Sequence, residues 1–176
     1  MAAPINPGST KAFGREKWIF APTIASTSAP TVAELTGASA LDVSCFLFSE
    51  SARPSQNTNL VTKQRRICDT NQYQQIGVTT YSGGELTYSL DPQAAAASNP
   101  KKAYEKFPAG TTGYLVRRLG IDVNTDIVAA QFVDVFPVEL GPPMPTVIGD
   151  GETAEVGAVN TFAITAAPQF VKAVAA

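Results

Sequence analysis

Histidine is absent from this chain, and its absence removes the commonest general acid–base residue and the commonest metal ligand. Two cysteines, Cys45 and Cys68, do not make a zinc site without histidine. Both lie in apolar or strand-like segments, which favours buried free thiols, with a disulfide between neighbouring strands as the alternative. Neither a Gly-x-Ser-x-Gly turn nor a phosphate-binding glycine motif occurs. We therefore expect no enzyme activity, no metal and no cofactor.

Charged residues are also scarce, at 16% of the chain against a typical ~25%, while hydrophobic residues make up 44%. A thinly charged surface suits a protein that is covered by copies of itself, although small β-rich monomers share this property. No apolar run approaches the ~20 residues that span a bilayer. Residues 1–10 lack the charged and apolar regions of a signal peptide. We expect the protein to be synthesised in a cytoplasm and not to associate with a membrane.

The few charges are unevenly distributed along the chain. Residues 1–110 carry ten basic and eight acidic side chains, whereas residues 111–176 carry three basic and seven acidic ones. No basic residue lies between positions 121 and 171. Such a segment does not attract a phosphate backbone, so high-affinity binding to nucleic acid is not expected.

Three further motifs each allow a functional and a purely structural interpretation. Gly149-Asp150-Gly151-Glu152 has the acids of a calcium loop without its spacing, and it is typical of a β-turn. The basic doublets are Arg65-Arg66 and Arg117-Arg118. Each could form ion pairs between subunits, or its two arginines could simply lie on the two faces of a strand, where exposed ion pairs contribute little to stability. Trp18 with Phe20 suits an interface anchor and core packing equally well.

Short strand-like segments separated by turn residues dominate the chain. The pattern predicts strands over residues 16–21, 41–48, 62–69, 75–90, 114–122, 126–140 and 152–166. Within 75–90, Gly83-Gly84 indicates a hairpin turn or a strong bulge. The polar residues 49–60 predict an exposed loop. Thr31 and Glu34 match the capping box of a single helical turn.

One convincing helical stretch lies near residues 92–107. Asn99 and Pro100 are a favourable cap and first-turn pair, and Ala103, Tyr104 and Phe107 form an apolar stripe. The predicted fold is therefore mainly β, an antiparallel β-sandwich or barrel with one flanking α-helix. We expect an N-terminal arm over 1–15, the β domain over 16–166 and a C-terminal tail over 167–176.

The order of these features resembles the major tail tube proteins of long, non-contractile-tailed bacteriophages. The resemblance is carried by Leu-Thr-Tyr-Ser-Leu-Asp-Pro-Gln (86–93), Ala103-Tyr104 and Gly-Thr-Thr-Gly-Tyr-Leu-Val-Arg-Arg-Leu-Gly (110–120). The strand with Arg65-Arg66-Ile67-Cys68 and the closing strand that ends at Phe162-Ala163-Ile164 also fit. The similarity covers roughly residues 16–166 as a diffuse pattern.

The resemblance implies a tail-tube-like virion protein whose six copies close into a ring, with rings stacking into a hollow tube that phage DNA passes without specific binding. It implies lumen-facing residues, for which the candidates are Glu85, Thr87, Ser89 and Asp134. It also implies contacts between rings, with Phe13, Gln56, Asn57, Thr58 and Asn59 as candidates. The expected partners are further copies and the tape measure, terminator and distal tail proteins, with assembly in the host cytoplasm and a final location in the virion tail. The alternatives are a capsid decoration protein, a tail terminator or a β-sandwich carbohydrate-binding module.

Overall fold

A computed structural model describes residues 8–176 of the chain. These residues form ten strands, two α-helices and a short 3₁₀ turn at residues 151–153. The strands are β1 (Glu16–Ala21), β2 (Leu41–Asp42), β3 (Ser55–Thr62), β4 (Gln74–Ser82), β5 (Gly84–Ser89), β6 (Thr112–Leu119), β7 (Phe132–Leu140), β8 (Met144–Ile148), β9 (Glu155–Ile164) and β10 (Gln169–Ala173). The helices are α1 (Val32–Thr36) and α2 (Asn99–Lys106).

Eight of the strands form one antiparallel sheet in the order β2-β1-β6-β7-β9-β5, with β10 paired to β7 and β8 paired to β9. Strands β3 and β4 pair only with each other. The expectation of a mainly β, antiparallel fold is confirmed. β7 is buried on both faces, which explains its nearly continuous apolar sequence.

Residues 43–52 join the two edges of this sheet. At one edge, the Val43 N–H donates to the Trp18 carbonyl of β1 at 2.9 Å. At the other edge, the N–H groups of Phe48 and Ala52 donate to carbonyls of β5, each at 2.9 Å. The sheet is thereby curled into a barrel-like body, and hydrogen bonds that an open edge would leave unpaired are made within the chain.

Apolar side chains pack on both faces of the sheet. One cluster contains Trp18, Phe20, Leu86 and Phe136 and is covered by α2 through residues that include Phe107. The other is centred on Ile19, Val116, Val133 and Val135 and is covered by α1 through Leu35. The predicted apolar stripe of α2 is confirmed, because Ala103 and Phe107 are buried and Tyr104 packs against the same cluster.

Two buried polar side chains hold neighbouring segments together. Asn160 donates to the carbonyls of Phe107 and Gly141 at 3.0 and 2.8 Å and accepts from the Tyr88 hydroxyl at 2.6 Å. Burial raises the pKa of Tyr88 well above its usual range, so the phenol stays a donor. Arg118 binds the carbonyls of Asp122 and Asp126 at 2.7 and 3.1 Å and fastens the loop before β7. Buried polar groups of this kind stabilise a fold only when they are paired.

The capping box of α1 is confirmed. The Glu34 N–H donates to Thr31 Oγ1 at 3.2 Å, and the Thr31 N–H donates to Glu34 Oε2 at 2.8 Å. For α2 the prediction was wrong by one residue, since the cap is Ser98 and Asn99 is already helical. Residues 92–98 form turns and not helix, since Ala97 has a left-handed φ of 59°.

Several predicted strands differ from those observed. Residues 41–48 form only the two-residue β2 before the crossing segment, and residues 62–69 are mostly turn and irregular chain. The predicted loop at 49–60 contains most of β3, and the single strand at 75–90 is divided into β4 and β5. The C-terminal tail contains β10, whose residues pair with the first half of β7.

Candidate functional site

The most prominent surface is the two-stranded sheet of β3 and β4, which we call the β-arm (residues 55–82). None of residues 53–85 is buried, so this part of the chain has no core of its own. A lone two-stranded hairpin is marginally stable in water. The β-arm is therefore expected to gain little stability from its own side chains.

Large apolar side chains lie exposed on the β-arm. Leu60 and Ile76 are register partners and hence neighbours on one face, and they are 57% and 71% exposed. Val61 and Val78 are exposed as well. Contiguous exposed apolar side chains mark interaction surfaces. Sequence reasoning missed this surface because the polar run before Leu60 indicated a loop.

The β-arm joins the sheet through Gly83, which separates β4 from β5. A Cβ atom at this position would lie 1.7 Å from the Phe162 carbonyl oxygen of β9, so only glycine fits without a shift of the backbone. Of the two alternatives predicted at Gly83-Gly84, a hairpin turn or a strong bulge, the hairpin turn is wrong, because β4 leads into β5 and the two strands pair with different partners. Beside this junction, Gln56 and Tyr81 at the base of the β-arm line a cavity of about 120 Å³ with Phe136 and Phe170.

The predicted inter-ring residues lie in two places. Gln56, Asn57, Thr58 and Asn59 are all on β3, where Gln56, Asn57 and Asn59 are exposed and Thr58 is half-buried against Thr79. Phe13 is almost wholly exposed, just before the first strand of the sheet. Residues 1–7 of the predicted N-terminal arm lie outside the described residues.

Three of the four predicted lumen residues share one face of β5. Glu85, Thr87 and Ser89 alternate with Leu86 and Tyr88, which point into the core. Glu85 is exposed and the other two are half-buried. This face of β5 is therefore polar and accessible, and Glu85 is the charged residue among the three.

Asp134 does not join this group. It lies on the same face of the sheet as Phe136, opposite to the face of Glu85, and only 8% of it is exposed. Its Oδ2 accepts from Arg117 Nε and Nη2 at 3.1 and 2.8 Å, and its Oδ1 accepts from the Val171 N–H at 2.9 Å. Arg117 also lies over the ring of Trp18 at 5.7 Å. Asp134 thus connects β6, β7 and β10, and its charge is compensated locally.

The expectation of buried cysteines is wrong, since Cys45 and Cys68 are both exposed free thiols. Cys45 lies in the turn that follows β2, and Cys68 lies in the loop between β3 and β4. The physical reason is that neither segment is a strand with a buried face.

Within residues 8–176, no group of three or more acidic or cysteine side chains is arranged to hold a metal ion. No helix in the same part of the chain is long and apolar enough to cross a membrane.

The family model described as phage tail tube protein matches residues 3–176. The match therefore includes the sheet, the β-arm and β10. No individual curated protein matches the chain significantly.

Proposed function

The chain belongs to the phage tail tube protein family, and we propose that six copies close into a ring and that rings stack into the hollow tube of a long, non-contractile tail. The family is a structural one, so the protein is a component of the virion tail. We expect assembly in the host cytoplasm together with tape measure, terminator and distal tail proteins.

The observation that carries self-assembly is the β-arm. Residues 53–85 contain no buried side chain, while Leu60 and Ile76 are more than half exposed on one face. Burying such a pair yields roughly 25 cal/mol per Å² of apolar surface. Packing against a neighbouring copy would supply the missing core, and repetition of one such contact generates rings or filaments.

For the lumen wall, the proposal retains the face of β5 with Glu85, Thr87 and Ser89. One carboxylate per copy, repeated around a ring, would give a negative bore that repels phosphate. Asp134 is not retained in this wall, because it faces the other side of the sheet and is paired with Arg117. For contacts between rings, Gln56 to Asn59 on β3 and Phe13 remain the candidates.

The test of assembly compares the wild type with a variant in which residues 56–81 are replaced by Asn-Gly. Ser55 and Ser82 are register partners, so a two-residue turn can join them. We expect the wild type at high concentration to form hollow tubes with a regular axial repeat in negative-stain electron microscopy. The shortened variant should fold, as judged by circular dichroism, and form none. Discrete trimers or closed particles from the wild type would contradict the tube and favour a capsid decoration or terminator protein.

The test of the lumen uses Glu85→Lys and, as its matched control, Glu105→Lys, an exposed acidic residue of α2, which covers the opposite face of the sheet. We expect both variants to form tubes. Only Glu85→Lys tubes should retain duplex DNA fragments against nuclease, because their bore would attract phosphate. Equal retention by the two variants would contradict the assignment of this face to the lumen.

A further inference from the structure

The turn between β8 and β9 is a concentrated acidic surface that the proposed tube leaves unassigned. Its residues 149–155, which we call the acidic turn, contain Asp150, Glu152 and Glu155 and no basic residue. All three are exposed. Directly beside them, Val147 and Val156 are register partners and are 64% and 50% exposed. Acidic charge is thus combined with an exposed apolar pair.

The loop at the end of the β-arm has the opposite charge. Residues 63–73, which we call the basic tip, contain Lys63, Arg65 and Arg66 with Asp69 as the single acid. These residues line a cavity of about 280 Å³, and Asp69 accepts from the Arg66 N–H at 2.9 Å. The exposed pair Leu60 and Ile76 lies next to this tip. Here too an apolar pair adjoins a charged turn.

Neither charged group is neutralised within the described residues. The ion pairs formed there are Lys17–Asp42, Arg53–Glu16 and Arg117–Asp134, and none involves the basic tip or the acidic turn. Both groups therefore keep their charge available for a partner.

The base of the β-arm and the acidic turn lie at opposite ends of β9. The β-arm joins β5 at Gly84, whose register partner on β9 is Phe162, and the acidic turn ends at Glu155, the first residue of β9 at its other end. Seven residues of strand separate these positions, which at ~3.3 Å per residue is about 23 Å. The base of the β-arm lies beside Phe136 and Phe170, on the side away from the acidic turn.

We propose that the basic tip of one copy binds the acidic turn of the next copy along the tube axis. This proposal rests on the proposed function and names the contact that joins successive rings. Opposite charges attract across the contact, and the pairs Leu60–Ile76 and Val147–Val156 would become buried beside it. Tip against tip and turn against turn would repel, so all copies are stacked in one direction. A head-to-tail contact of this kind continues without limit.

The first experiment is a charge swap. Arg65→Glu with Arg66→Glu, or Asp150→Lys with Glu152→Lys, should each raise the protein concentration needed for tubes by roughly tenfold or more. The control Lys101→Glu with Lys102→Glu, on half-buried and exposed positions of α2, makes the same change in net charge as the variant of Arg65 and Arg66 and should leave that concentration unchanged. The chain that carries both swaps should assemble nearly as well as the wild type, since the attraction is restored with reversed sign.

Three outcomes would contradict the swap prediction. If the wild type forms tubes and the swap variants assemble equally well, the contact between tip and turn is refuted, while the proposed tube function stands. Loss of assembly in the doubly swapped chain would show that the charged side chains of the basic tip and of the acidic turn do not bind each other. If the tip variant assembles normally but loses retention of a duplex DNA oligonucleotide, the partner of the tip is nucleic acid and the proposal is overturned. A wild type that does not associate at any concentration would overturn the proposed function.

The second experiment uses Cys68, the exposed thiol of the basic tip. In a Cys45→Ser background, Glu152→Cys places a second thiol on the acidic turn. Mild oxidation should then give a ladder of reducible multimers on a denaturing gel, because each copy links to the next through Cys68. Glu139→Cys in the same background is the control and should give no ladder. A ladder from the control alone, or from neither variant in assembled protein, would overturn the contact.

Discussion

Leu86 and Ile76 lie ten residues apart on consecutive strands, yet Leu86 is fully buried while Ile76 is 71% exposed. The difference extends to the regions that contain them. The closed sheet buries apolar side chains on both faces and pairs its buried Asn160 completely, whereas no residue between 53 and 85 is fully buried. Both are antiparallel β-structure with regular ladders.

This contrast shows that backbone pairing and apolar content do not by themselves decide where a core forms. In the sheet, β5 is supported by β9 and by the crossing segment of residues 43–52. In the β-arm, each strand has only the other. The free energy of folding should therefore come almost wholly from the sheet, and the apolar side chains of the β-arm should contribute when copies meet.

The largest expected effect comes from truncating the same side chain in the two regions. Leu86→Ala should lower the free energy of unfolding by about 2–5 kcal/mol, because it opens a cavity in the core. Leu60→Ala should change it by less than about 0.5 kcal/mol, because the Leu60 side chain is more than half exposed and belongs to neither core cluster. Urea denaturation followed by circular dichroism measures both.

The matched readout is assembly. The comparison is made at a temperature at which Leu86→Ala stays folded. At a protein concentration at which Leu86→Ala assembles normally, Leu60→Ala should form fewer tubes. A Leu60→Ala variant that is as destabilised as Leu86→Ala would mean that the β-arm packs on its own sheet, and the contrast between the regions would be lost.

A second change acts at the junction of the two regions. Gly83→Ala places a Cβ atom against the Phe162 carbonyl, and either β5 or the base of the β-arm must shift. We expect a loss of about 1–3 kcal/mol in the free energy of unfolding, as for other overpacked sites. Gly110→Ala is an informative comparison, because its Cβ would meet nothing within 4 Å and only its φ of 77° is unfavourable.

Urea titrations should rank Gly83→Ala below Gly110→Ala in stability. If the two variants were equally stable, the close approach to β9 would be relieved by motion of the β-arm alone. That result would show that the junction is softer than the packed sheet.

The elements with a buried face were predictable from the sequence. Alternation of Leu86, Tyr88 and Leu90 with polar residues located β5, and the spacing of Thr31 and Glu34 located α1. β7 was found from its apolar run, although Pro137 is unusual in a central strand. Pro137 lies between the parts of β7 that pair with β10 and with β9, and its carbonyl accepts there from the Thr165 N–H. The N–H group that proline lacks would point to this same side of β7, between the segments paired with β10 and β9, so its absence interrupts neither set of strand hydrogen bonds.

The elements without a buried face were not predictable. Residues of β3 are almost all exposed, so they carry no period-two signal and were predicted to be a loop. The apolar residues near Phe46 and Phe48 indicated a strand, but they lie where the chain crosses between the two edges of the sheet. The candidate assembly surface was missed for the same reason, because its apolar side chains are meaningful only once β3 and β4 are known to pair.

A third prediction concerns the capping box, whose contribution belongs to the sheet body and not to the β-arm. Thr31→Ala removes the hydroxyl that accepts from the Glu34 N–H and should cost about 1 kcal/mol of unfolding free energy. Thr58→Ala on the β-arm, which removes the hydroxyl contact with Thr79 at 3.1 Å, should cost much less. Thermal unfolding of the two variants at neutral pH distinguishes them, and equal losses would contradict a stability difference between the regions.

The smallest expected effect is a pH dependence at the same cap. Hydrogen bonds from the N–H groups of Ala25 and Thr31 favour the charged carboxylate and hold the pKa of Glu34 below its ordinary 4.5. A carboxyl group whose pKa is lowered on folding contributes stability above its unfolded pKa and loses it as the pH falls through the folded value. The unfolding free energy of the wild type should therefore exceed that of Glu34→Gln near neutral pH, and the difference should shrink on acidification below about pH 4.5. Glu85→Gln, whose side chain lies on the accessible face of β5, serves as the comparison in the same titration. A difference for Glu34→Gln that stays constant into acid would show that the charge of Glu34 does not contribute to stability, and the cap would then act through geometry and not through charge.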